Sequence, residues 1–192
     1  MNYVSMEGRL SITAVILAGG RSRRMGTSKA LLSIGGLRMI ERTRQVLHEL
    51  KPFVQRVVVS GEVPGVEFIP DLKPFQGPVG GVASTARECL SDSCEGLLVV
   101  PVDLPLLTAD SLRPLVTYFN GHKPNAVCFE GNWLPAIFRL NEDLIFRCGQ
   151  NESIHGLLKS LGFVTMAPPS DVRSLANANT PHDWAELTRS HS

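Results

Sequence analysis

A glycine pair followed by clustered cations lies near the start of the chain, and this combination could bind phosphate. Gly19 and Gly20 end the apolar run over residues 14–17. Four cations follow closely: Arg21, Arg23, Arg24 and Lys29. Glycines let the backbone turn tightly and present N–H groups without a Cβ in the way. Because a cationic turn of this kind attracts anions, and several charges are present, the expected anion is a polyphosphate.

Two better-known phosphate loops are excluded by spacing. The pattern G-x-x-x-x-G-K-[ST] fails because Gly20 and Gly26 are one residue too far apart and Lys29 does not follow the glycine. The dinucleotide pattern G-x-G-x-x-G fails because Gly19 and Gly20 are adjacent. The alternative is an ordinary surface turn with solvated arginines. The agreement of charge, glycines and strand-end position favours phosphate binding.

A carboxylate directly after a second apolar run is a candidate metal ligand. Asp103 follows the apolar residues 97–100 closely. A triphosphate arrives with Mg²⁺, a hard ion that takes one or two carboxylates together with phosphate oxygens. The alternative is that Asp103 caps the helix that begins near Thr108, but Thr108 is itself a good N-cap residue. The sequence therefore predicts that Asp103 binds Mg²⁺.

The elements that position these residues alternate along the chain. Apolar runs predict strands at residues 14–17, 57–59, 97–100, 126–129 and 134–138. Segments with helical spacing lie between the first three runs and after the third, and residues 75–81 are expected to form a glycine-rich turn leading into a helix. The last helix should begin with Thr180 as N-cap, Pro181 at the first position and Asp183 closing a capping box.

This alternation predicts a single-domain α/β protein, a Rossmann-like three-layer sandwich with a mostly parallel sheet and one antiparallel element. The domain is expected to span residues 12–192, after an N-terminal extension of residues 1–11 that does not resemble a signal peptide. In such sheets, ligands bind outside the C-terminal strand ends. The 17–29 loop, Ser60, Asp71 and Asp103 all lie at such ends, so we expect them to converge.

Composition and charge restrict the classes of partner that this protein is expected to bind. The 192 residues carry a net charge of +1, so no global basic field indicates nucleic acid or membrane binding. No apolar run approaches the about 20 residues of a membrane span. The four cysteines form no C-x-x-C pair, and we expect them to be reduced and buried in a cytoplasmic protein. The five histidines are scattered and suggest no catalytic pairing.

The stretch from Leu17 to Lys29 reads L-A-G-G-x-S-x-R-M-G-x-x-K, and it resembles the signature of the molybdenum cofactor guanylyltransferases within the MobA-like nucleotidyltransferase family. The resemblance extends over residues 12–187. It implies that Leu17, Ala18, Gly19 and Gly20 bind nucleotide. Cytidylyl relatives tend to have L-A-A-G here, so L-A-G-G favours the guanylyl branch.

The same resemblance implies roles for residues farther along the chain. Asp103 falls where the family has its magnesium-binding aspartate. Asp71 stands where the family also carries an aspartate, although it could instead form an Asx-turn after Pro70. Ser60 matches a position where some relatives place an asparagine against the base, and a hydroxyl offers one donor where an amide offers two.

Two further segments resemble family motifs for the second substrate. Residues 77–81 resemble G-P-x-x-G, so Gly77 and Gly81 are expected near that substrate, unless the glycines only permit packing. Asn177 and Asn179 resemble the N-x-N-T-P motif, and their alternate spacing puts both amides on one side of an extended segment. Alternatively, Asn179 only helps to cap the last helix.

The activity that the resemblance implies is transfer of GMP from GTP to molybdopterin, with Mg²⁺ and release of pyrophosphate. Arg24 and Lys29 would bind the β- and γ-phosphates, and backbone amides of residues 18–20 would cradle them. Molybdenum-insertion proteins or molybdoenzyme chaperones are further suggested partners. The alternatives are a cytidylyltransferase or another relative of this family, and a non-catalytic nucleotide-binding regulatory protein.

Overall fold

The computed structural model describes residues 10–19, 28–70 and 77–189. The strands are β1 (Ile12–Leu17), β2 (Ser33–Ile34), β3 (Leu37–Arg38), β4 (Val54–Ser60), β5 (Gly96–Pro101), β6 (Ala126–Phe129), β7 (Asn132–Arg139) and β8 (Val164–Met166). The α-helices are α1 (Met39–His48), α2 (Gly77–Cys89), α3 (Ala109–His122), α4 (Glu142–Cys148), α5 (Ile154–Leu161) and α6 (Pro181–Thr188). Short 3-10 helices also occur at Lys29–Leu31 and Val172–Leu175.

In the described part of the chain, six strands form one sheet in the order β4-β1-β5-β7-β6-β8. Strand β1 pairs in parallel with β4 on one side and with β5 on the other. Strand β7 runs antiparallel to both of its neighbours, and β8 is parallel to β6. The sheet is therefore mostly parallel with an antiparallel element, and the predicted fold class is confirmed.

Two apolar cores cover the two faces of this sheet. The alternating side chains of β1 separate them, because Ile12, Ala14 and Ile16 belong to one core and Val15 to the other. Helices α1 and α3 pack on the first face, and helices α2, α4 and α5 on the second. These layers are the predicted three-layer sandwich.

Helix termini follow the local sequence. Thr180 caps α6, since its hydroxyl accepts a hydrogen bond from the Asp183 backbone N–H at 3.1 Å and the Asp183 carboxylate accepts from the Thr180 N–H at 2.9 Å. The predicted start of the last helix is thus confirmed. The turn expected at residues 75–81 is wrong for residues 77–81, which form the first part of α2. This helix begins at Gly77 with φ of +65°, and residues 75–76 lie outside the described ranges. Glycine adopts that backbone conformation without strain, so the helix starts there directly.

None of the described helices is long and apolar enough to cross a membrane. Three of the four free cysteines are buried. Burial raises the pKa of Cys89 and Cys128 to about 11 and that of Cys148 to about 12. These thiols therefore stay protonated at neutral pH and pack as small apolar side chains.

Candidate active site

The C-terminal ends of β4, β1 and β5 open into one large cavity. Its volume is about 1660 Å³, and its lining includes Ser60 after β4, Leu17 to Gly19 after β1, and Asp103 after β5. Because β7 runs antiparallel to β5, the first residues of β7 lie at the same edge. The cavity continues along that edge to residues 131–134 and on to residues 152–155 before α5. The predicted convergence of strand ends is thus observed for these residues.

Lys29 and Asp103 form an ion pair in this cavity. Lys29 Nζ donates to Asp103 Oδ2 at 2.7 Å, and both side chains are mostly buried, with 19% and 16% of their areas exposed. The same ammonium donates to Asn179 Oδ1 at 2.8 Å. Residues that are 74 and 150 positions from Lys29 in the sequence are therefore brought to one nitrogen atom.

The second carboxylate oxygen of Asp103 is available to a ligand. Asp103 Oδ1 is buried and has no hydrogen-bond partner within the described ranges. A buried carboxylate oxygen without a partner is costly in a folded protein. Mg²⁺ prefers such oxygen ligands and completes its shell with water and phosphate. Asp103 therefore fits a magnesium site, and Lys29 occupies the other oxygen, so the two cations need not compete for one atom.

The C-terminal asparagine segment lies beside Asp103. The Ala178 N–H donates to the Asp103 backbone carbonyl at 2.9 Å, which holds residues 177–179 against the end of β5. Asn177 lines the cavity. The backbone N–H of Asn179 donates to the Asp183 carboxylate at 3.0 Å. Asn179 thus contributes its backbone to the cap of α6 and its side chain to Lys29, and its predicted contact with substrate stays a prediction.

The loop after β1 is tied to the end of β4. The N–H groups of Ala18 and Gly19 both donate to the Ser60 carbonyl, at 2.9 and 3.1 Å. These two amides already have an acceptor, and their predicted role in cradling phosphate stays a prediction. Gly61, with φ of +95°, lies directly against Gly19, because a Cβ there would stand 2.3 Å from the Gly19 nitrogen.

The two glycines predicted near the second substrate differ in their surroundings. Gly81 is buried in α2, and a Cβ there would stand 2.5 Å from Ser60 Oγ and 2.9 Å from Leu17 Cδ2. It lets the helix pack closely on the strand ends. Gly77 is exposed and lines the cavity. Substrate contact by either glycine is untested.

Three predicted site residues, Gly20, Arg24 and Asp71, lie outside the described residues. Within the described ranges, no group of three or more His, Cys, Asp or Glu side chains could hold a metal ion.

An aromatic pair on the cavity wall was not identified from the sequence. The ring of Trp133 stacks on that of His155, with the centroids 4.0 Å apart and the planes 17° from parallel. Both residues line the cavity. They are far apart in the sequence and belong to no motif, so neither spacing nor composition links them. The sequence offered one signal for this pair, which is a tryptophan near the start of a strand that begins at this edge of the sheet.

Comparisons with known proteins identify the family of this chain. The MobA-like NTP transferase domain family matches residues 14–162. The molybdenum cofactor guanylyltransferase of Xanthomonas euvesicatoria pv. vesicatoria is 36% identical over 91% of this chain and 93% of its own length. A probable molybdenum cofactor guanylyltransferase from Pelotomaculum thermopropionicum is 32% identical over 91% of this chain and 90% of its own.

Among solved structures, the molybdopterin-guanine dinucleotide biosynthesis protein A from Archaeoglobus fulgidus has the same fold. It superposes with a TM-score of 0.73 at 20% identity, over 92% of this chain and 97% of its own. The fold and these similarities agree with one another. The chain therefore belongs to the MobA-like NTP transferase family, as a nucleotidyltransferase related to the molybdenum cofactor guanylyltransferases.

Proposed function

We propose that this enzyme transfers GMP from GTP to the phosphate of molybdopterin, with Mg²⁺, and releases pyrophosphate. The observation that carries the proposal is the Lys29–Asp103 pair in the strand-end cavity, with Asp103 Oδ1 lacking a partner within the described ranges. Family membership supports the reaction class, and the names of the relatives support guanine and molybdopterin.

The reaction joins two anions. A phosphate oxygen of the acceptor attacks the α-phosphorus of GTP, a new P–O bond forms, and the bond between the α-phosphorus and the bridging oxygen breaks. The electron pair of that bond leaves with pyrophosphate. Because the attacking phosphate is already ionised, the reaction needs no side chain as nucleophile or strong base. Its main demands are to hold the partners in line and to neutralise charge.

Different residues of this chain would hold the substrates and neutralise their charge. Lys29 supplies a positive charge beside Asp103 and would bind the triphosphate tail and the departing pyrophosphate. Asp103 would hold Mg²⁺, which, when bound, neutralises charge on the phosphates. Arg24 would add a second cation for the β- and γ-phosphates. Asn179 keeps the Lys29 ammonium in place through its side-chain oxygen.

The nucleotide is assigned to the side of the cavity formed by the ends of β1 and β4. Leu17, Ala18, Gly19 and Ser60 line that side, and they are the residues that the L-A-G-G motif and the strand-end argument assign to nucleotide. Asp71, which comes after β4 in the sequence, would contact the ribose hydroxyls of the nucleotide or assist in binding the metal.

Asp103→Asn tests this proposal most simply, because it keeps the shape of the side chain and removes its charge. We expect kcat for pyrophosphate release from GTP and molybdopterin to fall by about a hundredfold or more, the scale of losing one strong electrostatic contact. GTP binding measured without Mg²⁺ should change little. Asp110→Asn is the matched control, since that aspartate is 90% exposed on α3.

Two outcomes would contradict the proposal. Near-normal turnover of Asp103→Asn would mean that the metal is held elsewhere, and Asp71 would be the next residue to replace. Binding of GTP by the wild-type protein without pyrophosphate release, in the presence of molybdopterin and Mg²⁺, would favour a regulatory nucleotide-binding protein instead.

A further inference from the structure

The aromatic pair on the cavity wall is held rigidly but remains accessible. The indole of Trp133 stacks on His155 and also meets Phe163 edge-on, with centroids 6.0 Å apart and planes at 83°. Despite these two contacts, 40% of Trp133 is exposed. An aromatic surface that is fixed by its neighbours and open to a cavity can stack with a planar ring at little entropic cost.

Helix α5 fixes the histidine of the pair. His155 lies in the first turn of α5, and Ser153 caps that turn, because its hydroxyl accepts a hydrogen bond from the Gly156 N–H at 3.1 Å. The adjacent Ile154 is buried in the second core. The imidazole therefore has a defined position from which to hold the indole.

The order of strands places this pair on a particular side of Asp103. Along the sheet edge the strands run β4, β1, β5 and β7, so Ser60, Leu17, Asp103 and Trp133 follow one another. With neighbouring strands about 4.8 Å apart, the ends of β4 and β7 are separated by about 14 Å. In the antiparallel register Val99 pairs with Ala136, so the residues that precede Ala136 run toward and past the C-terminal end of β5 at Pro101. Trp133 thus lies on the β7 side of Asp103, and the ends of β1 and β4 lie on its other side.

The cavity is also larger than a typical site for one drug-sized ligand. Its volume of about 1660 Å³ exceeds the about 300–1,000 Å³ typical of a site for one drug-sized molecule. If the nucleotide lies over the ends of β1 and β4, the remaining space lies over β7 and the start of α5. A nucleotide and an acceptor that meet at Asp103 would occupy the two halves of the cavity.

We propose that Trp133, positioned by His155, binds the flat pyrimidine ring of the acceptor's pterin by stacking. The inference depends on the proposed function in one respect, since that function assigns the other half of the cavity to the nucleotide. Stacking on an aromatic side chain is worth about 1–3 kcal/mol per ring and requires a π-face. The site therefore selects an acceptor that carries an aromatic ring over a plain sugar or polyol phosphate.

Equilibrium binding tests this inference without turnover. Molybdopterin and Mg-GTP are titrated anaerobically and separately into the wild-type protein, Trp133→Ala and Trp133→Phe, with calorimetric detection. We expect Trp133→Ala to raise the Kd of molybdopterin about tenfold and Trp133→Phe to raise it much less, because phenylalanine keeps a π-face. The Kd of Mg-GTP should stay the same. Phe146→Ala is the control, an aromatic that is 61% exposed on α4.

A second readout reports directly on Trp133. In the Trp184→Phe background Trp133 is the remaining tryptophan of the chain, and molybdopterin should quench its fluorescence while Mg-GTP should not. Weaker binding of Mg-GTP but not of molybdopterin in Trp133→Ala would overturn the inference, because the nucleotide base would then stack there. Unchanged affinity for both ligands would overturn it too. A wild-type protein that binds molybdopterin through Trp133 but releases no pyrophosphate would contradict only the proposed function.

Discussion

Lys29 and Asp103 illustrate how two residues that are separated in sequence form one functional unit. Each was predicted from its own context, Lys29 from the basic loop and Asp103 from its position after an apolar run. Their direct contact at 2.7 Å could not be predicted, because neither residue type nor spacing determines which cation meets which carboxylate. The contact also places an opposite charge beside the mostly buried carboxylate, which offsets part of the cost of burying it.

Replacing Lys29 tests its role in binding the triphosphate. Lys29→Ala removes a positive charge that would face the phosphates in the ground state and in the transition state. We therefore expect the Kd for Mg-GTP to rise by about tenfold to a hundredfold, the range for a hydrogen bond to a charged group, and kcat to fall as well. Titration calorimetry and steady-state kinetics measure the two effects.

Lys159→Ala is the matched control for this change, since Lys159 is an exposed lysine on α5. It should leave both parameters unchanged. If Lys29→Ala bound Mg-GTP like the wild-type protein and turned over at the same rate, the ammonium would serve only to balance the charge of Asp103.

Among the secondary-structure elements, the sequence predicted the sheet better than the connections between strands. The apolar runs at residues 14–17, 57–59 and 97–100 became β1, β4 and β5, because a strand buried on both faces requires continuous apolar sequence. The start of α2 was predicted wrongly as a turn. Glycines at residues 77–81 suggest a turn by propensity, but these residues are helical, and at Gly81 the missing Cβ leaves room for Ser60 and Leu17.

Gly61 offers a test of how the loop after β1 is positioned. In Gly61→Ala the new Cβ would stand 2.3 Å from the Gly19 nitrogen, so the loop after β1 must move. We expect a loss of unfolding free energy of at least about 2 kcal/mol, from the clash added to the strain of positive φ, and weaker binding of Mg-GTP. Urea denaturation and calorimetry measure these effects.

Gly65→Ala separates the clash from the strain. Gly65 also has a positive φ, of +75°, but a Cβ there would meet nothing within 4 Å. This variant should lose only about 1 kcal/mol and bind Mg-GTP normally. Equal effects of the two substitutions on nucleotide affinity would mean that the contact between Gly61 and Gly19 does not position the site.

At the scale of the whole molecule, the site is one edge of a sheet on which several strands end. The sequence predicted this edge because parallel strands separated by helices must align their C-terminal ends. It did not predict the extent of the cavity along β7 and α5, because Trp133 and His155 meet only through the antiparallel pairing of β7 with β5 and the packing of α5. Local patterns carry no information on such a pairing.

The same strand order explains why the binding of the nucleotide and the binding of the acceptor substrate can be considered separately. Asp103 follows β5, a central strand with β1 on one side and β7 on the other. Residues on the β1 side come from the motif that resembles guanylyltransferases, and residues on the β7 side belong to no motif. The resemblance to the family therefore singles out residues on the β1 side, whereas Trp133 and His155 on the β7 side are identified from the structure.

The central claim is that this protein joins GMP to molybdopterin, and a competition experiment tests it most directly. The protein is incubated with molybdopterin, Mg²⁺ and equal concentrations of GTP, CTP, ATP and UTP, and the products are identified by mass spectrometry. The account predicts the guanine dinucleotide of molybdopterin as the dominant product, formed in equal amount to pyrophosphate and lost in Asp103→Asn. A dominant cytosine dinucleotide, or no dinucleotide at all, would contradict it.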